Sequence, residues 1–113
     1  MQPLEVVFGA EADTDLLQIY RWVYEASRDP NVAGRFLDRL ISRCERIGDA
    51  PRGGRPRHDL EPGLRTVPFE RSAIIAYRIE ADRVIITNVF YGGRDFEAFY
   101  GDGTGDEPRG PSS

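Results

Sequence analysis

Residues 33–47 carry the strongest constraint in the chain. Ala33, Phe36, Leu37, Leu40, Ile41, Cys44 and Ile47 fall on one side of a 3.6-residue spiral, and Arg35, Asp38, Arg39, Ser42, Arg43 and Arg46 on the other. A stripe this continuous has to be buried, so the segment predicts a helix lying on a core. Asn31 is a residue type that caps a helix N-terminus, while Gly48 and Pro51 end the pattern. A weaker stripe precedes it: Ala12, Leu16, Ile19, Tyr20 and Val23, with Glu11, Asp13 and Asp15 where a helix dipole favours acids. That helix should stop around Ser27, because Pro30 cannot continue it. Two helices with so short a connection form an antiparallel hairpin.

The rest of the chain reads as strands. Residues 4–8 form a short strand ended by Gly9. Residues 51–63 hold Pro51, Gly53, Gly54, Pro56, Pro62 and Gly63 and read as a loop without regular structure. Residues 64–69 are cut by Pro68, which suits a sheet edge or a strand end. Residues 72–79 and 83–91 are rich in Ile and Val, and Glu80-Ala81-Asp82 joins them as a tight hairpin. Gly92-Gly93 stops the last strand, and residues 94–100 make a short helix whose Phe96, Phe99 and Tyr100 pack back. The expected order is β-α-α-β-β-β with a short C-terminal helix. It is an α+β domain over residues 1–100, with the helical hairpin packed on a mostly antiparallel sheet. Residues 101–113 contain no hydrophobic side chain and are expected to be disordered.

Charge narrows the partners. The net charge is -4, yet every cation is arginine and there is no lysine. From Arg35 to Arg57 seven arginines face only Asp38, Glu45 and Asp49. A locally basic surface on an acidic protein points to a specific anionic partner, not to indiscriminate nucleic-acid binding. No run approaches the roughly 18 apolar residues of a membrane helix. Met1-Gln2-Pro3-Leu4-Glu5 has neither the basic start nor the apolar run of a secretion signal. With a single cysteine excluding an internal disulfide, the expected location is the cytoplasm, with no membrane contact.

Few residues can do chemistry. His58, the one histidine, sits beside Asp59 in a loop, where it could serve as a general base. Cys44 lies inside the apolar stripe and should behave as a small hydrophobe. One histidine and one cysteine in different elements offer no metal site, and neither glycine pair has the spacing of a phosphate loop, so no metal and no cofactor are expected. That leaves Arg65 on a strand, Arg94 directly after Gly92-Gly93, and Tyr100 six residues on. An arginine and a tyrosine near a basic loop could bind and cleave RNA, or could simply pair with an acid and close the core.

Taken in order, the helical hairpin, Pro51-Arg52-Gly53-Gly54-Arg55-Pro56-Arg57, Gly63-Leu64-Arg65, Ile75-Ala76-Tyr77-Arg78-Ile79 and Val89-Phe90-Tyr91-Gly92-Gly93-Arg94-Asp95 resemble the ParE branch of the ParE/RelE toxin superfamily over about residues 4–100. The resemblance implies a type II toxin that poisons DNA gyrase by binding it. It also implies a cognate ParD-like ribbon-helix-helix antitoxin that forms a hetero-oligomer with it and alone contacts operator DNA. The RelE branch cleaves mRNA on the ribosome with two arginines, a tyrosine and lysines. Arg94 and Tyr100 match one arginine and the tyrosine, while the other arginine falls at Ile74 and the lysines are missing. On the ribonuclease alternative Arg65 or the 52–57 loop would have to fill the gap, with His58 supplying a proton role. On the binding reading Arg65, Arg94, Phe96 and Tyr100 form the target contact. Leu17, Trp22 and Tyr24, which lie off the first helix's stripe, join Arg35, Arg39, Arg43, Arg55 and Arg57 to receive an acidic amphipathic antitoxin segment.

Overall fold

Pro30 begins the second helix; it does not merely stop the first. A computed structural model, which describes residues 2–101, places β1 at Glu5–Phe8, α1 at Ala10–Ser27 and α2 at Pro30–Arg46, the last running into a 3-10 turn at Ile47–Asp49. The cap of α2 is Asp29, whose carboxylate accepts the Asn31 N–H at 2.9 Å, not Asn31 itself. Proline fits the first helical position because its missing donor would have no partner there. Arg28 leaves α1 in the left-handed region at φ 57° and donates its N–H to the Tyr24 carbonyl. Only Arg28 and Asp29 separate the helices, and so short a link holds them antiparallel.

The sheet continues with β2 (Arg55–Pro56), β3 (Arg65–Phe69), β4 (Ala73–Glu80) and β5 (Arg83–Tyr91), and α3 (Phe96–Gly101) closes the described chain. The strand order is β1-β5-β4-β3-β2, with β1 parallel to β5 and every other pair antiparallel. The loop expected over residues 51–63 is therefore not wholly irregular, since Arg55 and Pro56 pair with Thr66 and Arg65. Proline is tolerated there because β2 is the sheet's edge. Pro68 pairs with Ile74 and lies beyond the end of β2, so its missing donor faces no strand. The β4–β5 connection is two residues, Ala81 and Asp82, since Glu80 still pairs with Arg83. Gly101 is the last residue of α3, and the rest of the tail expected to be disordered lies outside the described residues.

The two helices cover one face of the sheet. Ile19, Val23, Leu40, Cys44 and Ile47 pack on Ile75, Tyr77, Val84 and Ile86. A smaller core occupies the opposite face, where Leu64, Ala76 and Phe90 are covered by Leu60, Ile74, Phe96 and Tyr100. Burial on both faces explains the unbroken apolar run Ala73-Ile74-Ile75-Ala76-Tyr77, where a strand with one wet face would alternate. Phe99, expected to pack back with its neighbours, stays largely exposed although its ring meets Phe90 edge-on.

β1 pairs with β5 only through Ile86. Beyond that point α1 shields the strand: the Asp15 carboxylate accepts the Val89 N–H at 2.9 Å, and the Asn88 amide donates to Glu11 and Asp15. An acid that suits the helix dipole thus also satisfies a strand donor that would otherwise be an open edge. At the other end of the helical pair Gly48 lies against β1. Its carbonyl accepts the Leu4 N–H at 2.9 Å, and an added Cβ would strike the Leu4 carbonyl oxygen. Gly48→Ala should therefore lose stability, by about 1–3 kcal/mol. Gly34, in the interior of α2 with open space where a Cβ would go, should respond in the opposite sense, with Gly34→Ala gaining about 0.5–1 kcal/mol. Urea midpoints of the two variants check the signs; a stable Gly48→Ala would mean that β1 does not seat as described.

Candidate functional site

β4 places Tyr77 wholly inside the domain beneath the 51–54 loop. Its hydroxyl donates to the Pro51 carbonyl at 2.7 Å and accepts the Gly54 N–H at 3.0 Å. Burial raises its pKa. Gly54 has no room for a side chain: a Cβ would meet the Tyr77 hydroxyl and lie 2.8 Å from ring carbon Cε1. Arg65, paired with Tyr77 across the β3–β4 ladder, donates from Nη1 to the Arg52 carbonyl at 3.1 Å and the Gly54 carbonyl at 2.9 Å. The guanidinium expected in the target contact thus clamps the loop from below.

The following segment anchors α3. The Arg57 side chain is only 12% exposed; it pairs with Asp59 at 2.9 Å and Glu97 at 2.8 Å and lies over the Phe96 ring. His58 is exposed, and its Nδ1 accepts the Gly63 N–H at 3.2 Å, which ties it to its own loop. Tyr100 packs against Phe90, and its hydroxyl oxygen is buried without a well-formed hydrogen bond. The neighbouring Thr87 hydroxyl donates to the Ala76 carbonyl. Burial, with Glu61 nearby, pushes the Tyr100 phenol up to about 12. A phenol held neutral this firmly cannot accept a proton near neutral pH.

Of the residues expected in the target contact, Arg94 is the exposed one. It leaves the Gly92-Gly93 turn, where both φ angles are positive at 76° and 80°, and its guanidinium lies 5.5 Å from the Phe90 centroid. Two hollows meet at this side chain. One, of about 620 Å³, is lined by Gln18, Trp22, Tyr91, Gly92 and Arg94, with Trp22 stacked on Tyr91 at 6.0 Å between centroids and 17° between planes. The other, of about 230 Å³, lies between Arg71, Ser72, Ile74, Phe90 and Arg94. Arg71 escaped sequence reasoning because it falls in the gap between two strands, with nothing local to mark it. Arg65 and Arg94 are not brought together. Arg65 lies opposite Tyr77, four residues along β3 from Phe69, which pairs with Ala73 near the Arg94 end. That offset is about 13 Å at the usual strand rise.

The expected antitoxin surface divides similarly. Leu17, Trp22 and Tyr24 are exposed, joined by Val32 at the start of α2, which the sequence reading missed. Arg35 and Arg55 are exposed and Arg43 half-buried. Arg39 forms a two-point fork with Glu70, at 2.8 and 3.1 Å, and Arg57 is committed as above. The positive charge available between residues 35 and 57 is therefore smaller than its arginine count suggests.

Cys44 is fully buried, and burial pushes its thiol up to about 12 from 9.0. Tyr100 is raised in the same sense, from 10.0 to about 12. Both groups are neutral in the fold, so the stability they contribute is intact well below pH 9, where neither ionises appreciably even unfolded. It should fall as pH rises from there through about 12. A disulfide thiol reagent at pH 8 should leave the folded protein unmodified and react at once after urea unfolding. Rapid labelling of the native protein would show Cys44 to be accessible.

The family of ParE toxins of type II toxin–antitoxin systems matches residues 6–96. Toxin ParE3 of Caulobacter vibrioides is 34% identical over 87 residues, which cover 77% of this chain and 85% of that protein. Two solved structures share the fold. A chromosomal ParDE system from P. aeruginosa matches at TM-score 0.68 and 20% identity, over 79% of this chain and 96% of that one. The RelBE2 toxin–antitoxin complex of Mycobacterium tuberculosis matches at TM-score 0.61 and 21% identity, over 80% and 99%.

Proposed function

The chain belongs to the ParE family of type II toxins, and on that premise we propose that it stops DNA gyrase by binding, not by catalysis, until a ParD-like ribbon-helix-helix antitoxin neutralises it. One observation carries the binding mechanism. Arg94 stands exposed beside an aromatic cleft, while the other groups that RNA cleavage would need are absorbed by the fold. Cleavage requires one group to take the 2′-hydroxyl proton, another to protonate the leaving oxygen, and charge stabilisation between them. Arg65 is bound to two loop carbonyls, His58 to Gly63, and the Tyr100 hydroxyl is buried. Inhibition by contact asks only for a rigid surface with an anchoring arginine and aromatic groups. Phe96 and Tyr100 support that surface by packing beneath Arg94's partner Phe90.

The antitoxin reading is supported by the structures of relatives that are toxin–antitoxin complexes and by the exposed Leu17, Trp22, Tyr24 and Val32. Of the arginines first assigned to it, Arg35, Arg43 and Arg55 carry the charge on this reading, since Arg39 and Arg57 are already paired. Operator DNA is contacted only through the antitoxin. No described helix is long and apolar enough to cross a membrane; on the gyrase reading the protein acts in the cytoplasm.

Purified protein should inhibit gyrase supercoiling or trap cleaved gyrase–DNA complexes. Arg94→Ala should weaken inhibition by at least about tenfold. Tyr100→Phe keeps the ring and should remain toxic. Loss of toxicity in folded Tyr100→Phe, together with codon-phased mRNA cuts by the wild type, would replace this reading with a ribosome-dependent ribonuclease. Replacing Leu17 and Trp22 by serine should weaken the antitoxin complex, and unchanged affinity would move the antitoxin elsewhere.

A further inference from the structure

The geometry points to Arg71 as a second target-contact arginine beside Arg94, with the Arg39–Glu70 ion pair as the device that positions it. Both roles rest on the contact mechanism proposed above, though not on gyrase being the target.

Arg71 and Arg94 line the same hollow of about 230 Å³, together with the apolar Pro68, Ile74 and Phe90. Neither makes an ion pair among the described residues, whereas Arg39, Arg57 and Arg78 all do. Two guanidiniums across a small pocket repel each other, and an anionic group of the target relieves that repulsion when it docks between them. The two are also joined through the backbone. The carbonyl of Ser72, the residue after Arg71, accepts the Gly92 N–H at 2.9 Å, and Gly92-Gly93 is the turn that delivers Arg94. The β3–β4 turn therefore sets where Arg71 stands relative to Arg94.

That turn, Phe69-Glu70-Arg71-Ser72, is closed by the Ser72 N–H donating to the Phe69 carbonyl at 2.9 Å. Glu70 and Arg71 both lie in the left-handed region, at φ 48° and 59°, where hairpin turns normally use asparagine and glycine. A strained pair of this kind persists only where the surroundings enforce it. The enforcement comes from α2. Arg39 grips both Glu70 carboxylate oxygens, at 2.8 and 3.1 Å, and its guanidinium lies 5.5 Å from the Phe36 centroid. Phe36 in turn meets Phe69, the first residue of the turn, edge-on. An ion pair this exposed adds little to global stability. Its effect is local, on a turn whose own sequence disfavours the shape. Arg39 and Glu70 are thus positioning residues, and Arg71 is the side chain that reaches the target.

The full-length protein would be assayed for inhibition of gyrase supercoiling, for growth arrest on induction without antitoxin, and for amide exchange at Ser72. Arg71→Gln, which leaves the backbone strain unchanged, should raise the inhibitory concentration about tenfold. Glu70→Gln should raise it about two- to fivefold, the range an exposed ion pair supports, and should speed Ser72 exchange by a similar factor. Glu70→Asn loses the same fork but suits a positive φ, so it should keep slow exchange and near-wild-type potency. Adding Glu70→Gln to Arg71→Gln should cost nothing further, because Glu70 acts through Arg71. Exposed Arg21→Gln on α1 should change none of these. Full potency in folded Arg71→Gln, unchanged Ser72 exchange in Glu70→Gln, Glu70→Asn as weak as Glu70→Gln, or additive losses in the double variant would each overturn the assignment. If the wild type arrests growth but spares gyrase, the gyrase reading falls alone, and growth arrest ranks the variants instead. A wild type that does neither would sink both.

Discussion

The buried hydroxyl of Tyr77 is the point on which the outer half of the molecule rests. A phenol wholly inside a core must find partners for its oxygen, because leaving it bare costs about 1–3 kcal/mol. Here both partners belong to one loop, Pro51 and Gly54, so satisfying the hydroxyl also fixes the loop. The consequences run outward along the chain. Gly54 held against the ring brings Arg55 and Pro56 into register with β3. That register delivers Arg57 to Glu97 and Phe96, and so seats α3 over Phe90. Phe90 in turn carries the ring over which Arg94 lies. The site's arginine is thus linked to a contact made in the middle of β4.

This arrangement needs a sheet covered on both sides. The helical hairpin accounts for the larger core, but α3 and the 57–64 segment turn the second face of β4 and β5 into a smaller one. A short helix of six residues with no fully buried side chain could not hold that place by its own propensity. It is held by aromatic contacts to Phe90 and by the Arg57–Glu97 pair.

Local signals were legible in the sequence and distant ones were not. The α2 stripe, the end of α1 at Ser27 and the strand runs follow from periodicity and from proline and glycine, all read within a few residues. Even so, Pro30 read only as a stop hid the Asp29 cap, because proline ends one helix and begins the next by the same missing N–H. β2 was missed because its two residues owe their conformation to β3 and Tyr77, not to their own preferences. Asp15 suited a dipole in sequence; its bond to Val89 joins residues far apart in the chain, and no spacing rule reports it. The candidate site was half legible. Glycines flagged Arg94, while the engagement of Arg65 and the placement of Arg71 depend on which strands become neighbours.

An all-arginine chain makes that last dependence matter more. Arginine stays charged and offers a rigid fork, so each one either finds a carboxylate or carbonyl within the fold or keeps its fork for something outside. Local charge counts treat the two cases alike. The seven arginines from 35 to 57 look like the binding surface, yet Arg39 and Arg57 work within the domain, whereas Arg94 lies outside that run and makes no ion pair among the described residues. Which arginines the fold engages is set by sheet pairing and helix packing, not by charge density along the sequence.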